Sequence, residues 1–212
     1  MCIEQPPFLY RILFPNAHWR FSSDDKAVYL TFDDGPIPEM TPWVLDLLDK
    51  YNIKAIFFCV ADNVRKYPEI YRDILKRGHQ TGNHTYHHLQ GWKTSFKTYI
   101  NDTEAAKQLI DSKLFRPPHG YLRPRQLRAL AKQFKLIMWD VLTRDYSSLR
   151  SAQQVFEAVK RYTRNGSIIV FHDSLKSKGK IETALPQSIS ASNASAAPSP
   201  PSKRASPPSV AR

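Results

Sequence analysis

Glycine is scarce in this chain, seven in 212 residues, and none of them builds the closely spaced cluster that cradles a phosphate. Phosphoryl and nicotinamide chemistry through a glycine-rich loop therefore has no motif to rest on, and no nucleophilic-serine motif replaces it. Cysteine is scarcer still. Cys2 lies at the start and Cys59 inside an apolar run, so no disulfide between them is expected, and Cys59 reads as a small core residue. Long apolar runs are missing as well: Pro6, Pro7, Arg11, Pro15 and His18 interrupt the beginning of the chain. A signal peptide needs about 7–15 continuous apolar residues, and a membrane span about 20. The chain as given is thus expected to be cytoplasmic, with no membrane span. Acid is in short supply, 19 Asp and Glu against 31 Lys and Arg, for a formal charge of +12. The cations are scattered along helical patterns, and Lys203, Arg204 and Arg212 fall near the C-terminus. Scattered cations are a solvated face more often than a polyanion site, so nucleic acid is not expected as a partner.

What is present is ordinary globular composition, 42% hydrophobic and 12% aromatic, enough for one domain with a core. From 188 to 212 the chain turns to Ser, Ala and Pro without an aromatic residue, and this stretch is expected to be a disordered tail. Residues 1–26 read as an extension packed on a domain spanning 27–187. Apolar runs at 27–32, 55–60, 80–83, 113–115, 136–139 and 167–171 predict strands. Helical patterns at 38–51, 68–77, 94–112, 124–134 and 152–164 alternate with them, the signature of a parallel α/β sheet. No internal repeat is visible.

The chemistry is concentrated in a few short segments. Asp33 and Asp34 end an apolar strand just before Gly35-Pro36. Adjacent carboxylates repel, so a chain that holds two together normally neutralises one with a metal and leaves the other for acid–base work. His84 and His88 stand four apart, one helical turn, and could supply two imidazoles, with His87 as the rival for the second. Two imidazoles and one carboxylate suit Zn²⁺, Co²⁺ or Ni²⁺ better than Mg²⁺. Taken alone, a histidine cluster near a turn fits a solvated helix start equally well. Asp33, Asp34, His84, Arg116, Asp140 and His172 all stand at or just past the end of a predicted strand, the rim on which barrel enzymes build their sites.

Five motifs carry a resemblance: Thr-Phe-Asp-Asp-Gly-Pro at 31–36, His-Thr-Tyr-His-His at 84–88, Arg-Pro-Pro-His-Gly at 116–120, the run 139–146, and Ile-Val-Phe-His-Asp at 169–173. In this order, from about residue 27 to 185, they resemble the polysaccharide deacetylases, the NodB-homology domains of carbohydrate esterase family 4. The resemblance implies a deformed (β/α) barrel of about six to seven strands. It implies hydrolysis of the N-acetyl amide of a peptidoglycan- or chitin-like amino-sugar glycan, releasing acetate and a free amine. By position, Asp34, His84 and His88 would hold one divalent metal ion, Zn²⁺ first, and the family pattern selects His88 over His87. Asp33 would be the general base, His172 the general acid, and Arg116 the partner of the base carboxylate. The backbone N–H of His119 would face the oxyanion, and Asp145 would hold the catalytic arginine or histidine. Trp139 and Asp140 are read as packing residues. Leu142 stands where the family has an Asp, and Tyr146 where it has Trp, so the pocket edge differs. Two alternatives remain: an inactive carbohydrate-binding or interaction protein on the same fold, and a metal amidase for a non-sugar substrate. After Leu185-Pro186 the family continues with an amphipathic helix and a closing strand. Here the apolar pattern stops after Ile189, so the barrel is expected to be incomplete at its C-terminal end, with a bare strand edge.

Overall fold

A computed structural model describes residues 4–22 and 27–195. In chain order the elements are α1 (Phe8–Ile12), β1 (Tyr29–Asp33), α2 (Thr41–Lys50), β2 (Ile56–Cys59), α3 (Ala61–Lys66), α4 (Pro68–Lys76), β3 (Gln80–Asn83), α5 (Phe96–Lys107), β4 (Leu114–Phe115), α6 (Pro124–Leu130), β5 (Lys135–Leu136), β6 (Val141–Leu142), α7 (Ala152–Tyr162), β7 (Ile168–His172) and α8 (Lys178–Ser195). The strands form one curled sheet in the order β5-β4-β3-β2-β1-β7-β6, every neighbouring pair parallel. The expected deformed (β/α) barrel is thus present as a seven-stranded half-barrel.

Local sequence explains the central elements. β7, Ile-Ile-Val-Phe-His, is buried at every position, as a parallel strand covered on both faces must be. Phe32 of β1 stacks on Phe57 of β2 at 5.0 Å, and Leu45 and Leu48 of α2 close over them in the main core. Pro42 sits in the first turn of α2, where its missing N–H costs nothing. The α7 helix starts with a capping box in which Ser151 and Gln154 exchange side-chain and backbone bonds of 3.2 and 3.0 Å.

Three expectations are corrected. The strand predicted at 136–139 pairs as β5 only to Leu136. Beyond it, Ile137 bridges His18, and the His18 N–H and C=O bond Leu136 and Met138 at 2.8 Å each. The short β6 at Val141–Leu142 had no readable period. Second, the sheet edges are not bare: His18 flanks the β5 side, the Leu142 N–H donates to the Glu4 carbonyl at 2.7 Å, and Arg20 bridges Ser167. The N-terminal segment therefore lies across the seam between the two edge strands. Third, residue 188 does not begin a disordered tail. The α8 helix continues to Ser195, with Ile181, Ala184, Leu185, Ser188 and Ile189 buried at helical spacing. Ala and Ser tolerate a helix well enough when an apolar stripe pins it to a core, even with Pro186 inside it. The expected loss of the closing strand falls on residues 196–212, outside the described residues.

Because α8 is part of the core, Leu185→Ala should lower unfolding free energy by about 2–5 kcal/mol. Leu149→Ala, on the surface, should change it by about 0.5 kcal/mol or less. Urea denaturation of both variants checks this; equal midpoints would detach α8 from the fold.

Candidate active site

All strands run the same way, so their C-terminal ends share one rim. Asp33 ends β1 and His172 ends β7, and the two are register partners across the pair. His84 follows β3 directly, Arg116 follows β4, and Asp145 stands three residues beyond β6. Asp140 does not belong with them. It precedes β6, and its carboxylate is bonded by Arg11 at 2.9 Å, Arg164 at 3.0 and 3.1 Å and Ser167 at 2.8 Å, near the start of β7. The misplacement follows from the strand predicted at 136–139: with β5 ending at Leu136, Asp140 opens the next strand instead of closing the previous one.

Asp34, His84 and His88 bring one ligand atom each within 4.8 Å of one another. The spacing of the histidines is not helical. Residues 84–88 form a loop in which Thr85 (φ 64°) and His88 (φ 56°) take left-handed backbone, and this turn, not a helix face, aims the imidazoles together. Several bonds hold the loop. Buried Asn83 accepts the Thr85 N–H at 2.8 Å, and Asp102 Oδ2 accepts those of Tyr86 and His87 at 2.8 and 3.1 Å. His87 turns to the other oxygen of Asp102, 2.5 Å away, while His88 Nε2 lies 3.1 Å from Asp34.

The protonation states suit a metal. His84 Nδ1 lies 2.7 Å from the Arg116 carbonyl, which acts only as an acceptor, so Nδ1 carries the proton and Nε2 is free to ligate. Burial draws His84 down to about 4, against the attraction of Asp33, which keeps the ring neutral. Burial opposes charge on Asp34 too, but the bond to His88 and the nearby His172 and His84 hold its carboxyl well below the usual range. A neutral His84 imidazole, a second imidazole at His88 and an ionised Asp34 carboxylate form a donor set that fits a first-row divalent ion.

Asp33 is held by Arg116. The fully buried guanidinium donates to Asp33 Oδ1 and Thr31 Oγ1 at 2.7 Å each, and to the carbonyls of Ile137 and Met138 at 3.1 and 2.9 Å. It also lies over the Phe58 ring, 4.1 Å from the centroid. His119 has φ 58°, and among the described residues no hydrogen bond engages its N–H; its ring meets that of His88 at 4.8 Å.

Asp145 holds His172, not Arg116. Its two oxygens take the His172 N–H at 2.8 Å and face Nδ1 at 2.7 Å. Burial disfavours the imidazolium, but Asp145, with Asp34 and Asp33, outweighs it and holds His172 up to about 9. Tyr146 stands edge-on to the His172 ring at 4.7 Å.

Two supporting carboxylates escaped sequence reasoning, Asp102 and Asp173. Asp173 lies under the Asp33-Asp34 turn, accepting the Gly35 N–H at 3.1 Å and the Thr41 hydroxyl at 2.5 Å. Burial, with Asp34 nearby, raises Asp173 to about 8, so it sits there as a neutral acid at pH 7. Its place beside His172 was the available signal; its contact with Thr41, 132 positions away, had none.

These side chains on a parallel rim define an α/β-barrel hydrolase, and comparison with known proteins gives the family. The polysaccharide deacetylase model matches residues 21–139. A peptidoglycan-N-acetylglucosamine deacetylase of Bacillus cereus is 31% identical over 79% of this chain and 82% of its own length. A chitooligosaccharide deacetylase of Azorhizobium caulinodans is 29% identical, over 73% and 77%. The chain spans only 56% of a second Bacillus cereus deacetylase, to which it is 36% identical over 69% of its own length. Among solved structures, the Bc1960 peptidoglycan N-acetylglucosamine deacetylase superposes with a TM-score of 0.73 at 31% identity, covering 88% of this chain and 92% of that one. The chain belongs to the polysaccharide deacetylase family, carbohydrate esterase family 4.

A Cβ at Gly35 would overlap the Asp173 carboxyl. Gly35→Ala should therefore lower unfolding free energy by about 1–3 kcal/mol. Thermal unfolding checks this, and an unchanged midpoint would show that the turn does not rest on Asp173.

Proposed function

We propose that this chain removes acetyl groups from the N-acetylated amino sugars of a peptidoglycan- or chitin-like glycan, using a divalent metal held by Asp34, His84 and His88. The carrying observation is that two braced side chains flank that ligand set: Asp33 bonded by Arg116, and His172 held charged by Asp145. The names of the relatives support an N-acetylglucosamine-type substrate.

The family is metal-dependent in general. Bound there, Zn²⁺, Co²⁺ or Ni²⁺ would supply Lewis-acid polarisation of the acetyl carbonyl and easier deprotonation of the attacking water. The protein's own groups do the rest. Asp33 accepts the proton of that water, and Arg116, fixed by four hydrogen bonds, keeps the carboxylate aimed. The unengaged His119 N–H donates to the oxygen on which negative charge develops. His172 donates its proton to the departing nitrogen, which leaves as an amine together with acetate. A buried imidazole raised to about 9 is charged at neutral pH and ready to donate.

A second reading has a specific observation behind it. A Bacillus anthracis pseudoenzyme shares the fold with a TM-score of 0.69 at 23% identity over 84% of this chain and 65% of its own, so the fold does not by itself secure activity. Against that reading, each proposed catalytic position here holds a chemically competent residue. Acetate release from acetylated chitooligosaccharides, with and without added metal, tests the two; a non-sugar acetamide cleaved in preference would favour the amidase reading.

Elemental analysis should find one divalent ion per chain, lost when His84 and His88 are both replaced by Ala; unchanged metal content would move the site elsewhere. Asp33→Asn should keep the metal and lose about 10²–10⁴-fold in kcat. His172→Ala should slow amide cleavage more than ester cleavage, because an alkoxide leaves with less help than an amine. Since the His172 pKa is raised, its proton is available below that pKa and lost as pH rises through it. Amide turnover should therefore fall on the alkaline side, and that limb should vanish in His172→Ala. Identical pH profiles and equal losses on amide and ester would remove His172 from the role of acid.

A further inference from the structure

Trp92 lies in the loop between β3 and α5, four residues beyond His88, and the residue is 58% exposed. Exposed tryptophan is common on mobile loops, but this one is fixed. Its indole N–H donates to the Leu122 carbonyl at 3.0 Å, and its own carbonyl accepts two bonds from Arg123, at 3.2 and 2.6 Å. Buried Gln126 ties the same two loops together. Its Nε2 donates to the carbonyls of Gly91 and Thr94 at 3.0 and 3.2 Å, and its Oε1 accepts the Arg123 N–H at 2.8 Å. The Tyr121 ring lies beside the indole at 5.8 Å.

The position of this plate is informative. Both loops leave the C-terminal ends of their strands, β3 and β4, so Trp92 and Tyr121 stand on the rim that holds the candidate site. A chain of rings leads there. Trp92 meets Tyr121, Tyr121 follows His119 by two residues, and His119 meets His88. Four residues cannot extend beyond about 14 Å, so Trp92 is within the span of a short oligosaccharide from the ligand set. Across the site, Tyr146 stands against His172 and is also exposed.

We propose that Trp92, supported by Tyr121, is a preformed stacking platform for a pyranose ring of the glycan, at a subsite displaced from the sugar being deacetylated. The inference rests on the glycan reading of the site. Its physical basis is the amphipathic character of a pyranose: hydroxyls around the edge, C–H groups on the faces. An aromatic face carries negative quadrupole and attracts those C–H groups while the hydroxyls stay in water. A platform held by hydrogen bonds before binding loses little entropy when the sugar docks. No acidic or basic side chain is needed at such a subsite, which suits an uncharged N-acetylhexosamine chain.

The test uses the full chain with bound metal and the Asp33→Asn background, in which binding is read without turnover. Fluorescence and calorimetric titrations with N-acetylglucosamine dimer and pentamer compare Trp92, Trp92→Ala and Trp92→Phe. Trp92→Ala should weaken pentamer binding about tenfold, the equivalent of ~1.4 kcal/mol, with dimer binding unchanged and Trp92→Phe in between. In the otherwise wild-type enzyme the same change should appear in KM for long substrates and leave kcat alone. Equal losses for dimer and pentamer, no loss for either, or no glycan binding at any length would overturn the platform. Trp92-dependent pentamer binding by a chain that releases no acetate would keep the platform and refute the deacetylase reading. Unfolding midpoints identify a misfolded Trp92→Ala, in which case the Trp92→Phe titration decides by the same criteria.

Discussion

The buried guanidinium of Arg116 is the constraint on which the rest of the site depends. A cation removed from water is tolerated only when its donors are met, and here four hydrogen bonds to two distant stretches of the chain meet them. It takes the Asp33 carboxylate and Thr31 hydroxyl of β1 and two carbonyls beyond β5, with the Phe58 ring of β2 against its face. Thr31 passes the connection to β7 by donating to the Ile169 carbonyl at 2.8 Å, and the Arg116 carbonyl fixes the His84 tautomer. One residue therefore sets the aim of a carboxylate and leaves Nε2 of an imidazole as its free nitrogen.

Burial alone does not decide what the surrounding groups do. His84 and His172 are both buried, yet one is drawn down to about 4 and the other held up to about 9. The difference is the partner of Nδ1: a neutral carbonyl for His84, the Asp145 carboxylate for His172. The carboxylates divide in the same way. Asp34, among imidazoles, stays ionised, while Asp173, buried beside Asp34 with a hydroxyl and an amide as its hydrogen-bond partners, is raised to about 8. An ionised carboxylate, a neutral imidazole, a charged imidazole and a neutral acid arise on one rim because each buried group meets a different neighbour.

The N-terminal segment completes this frame from the other end. Its stretch through His18 and Arg20 bridges Ile137, just beyond β5, and Ser167, just before β7, and Arg11 meets Asp140, which Arg164 also clamps. The arrangement accounts for Asp140 as a scaffold residue at the end of the sheet opposite the candidate site.

The sequence by itself determined the strand-and-helix alternation, the parallel sheet and the segments that carry chemistry, because burial on a strand or helix face is written in local periodicity. It also placed Asp33, Asp34, His84, Arg116 and His172 after strands, so their convergence on one rim followed from parallel order alone. Tertiary structure decided what depends on contacts distant in sequence. Left-handed backbone at Thr85 and His88, together with Asp102, turned His88 inward and His87 away, where spacing had suggested a helix. Asp145 could have held either an arginine or a histidine until the β6–β7 pairing brought it to His172. The α8 helix looked too poor in apolar residues to form, and its stability comes from the core its stripe meets. Propensity and period act over a few residues, whereas these outcomes were set by partners tens of positions apart.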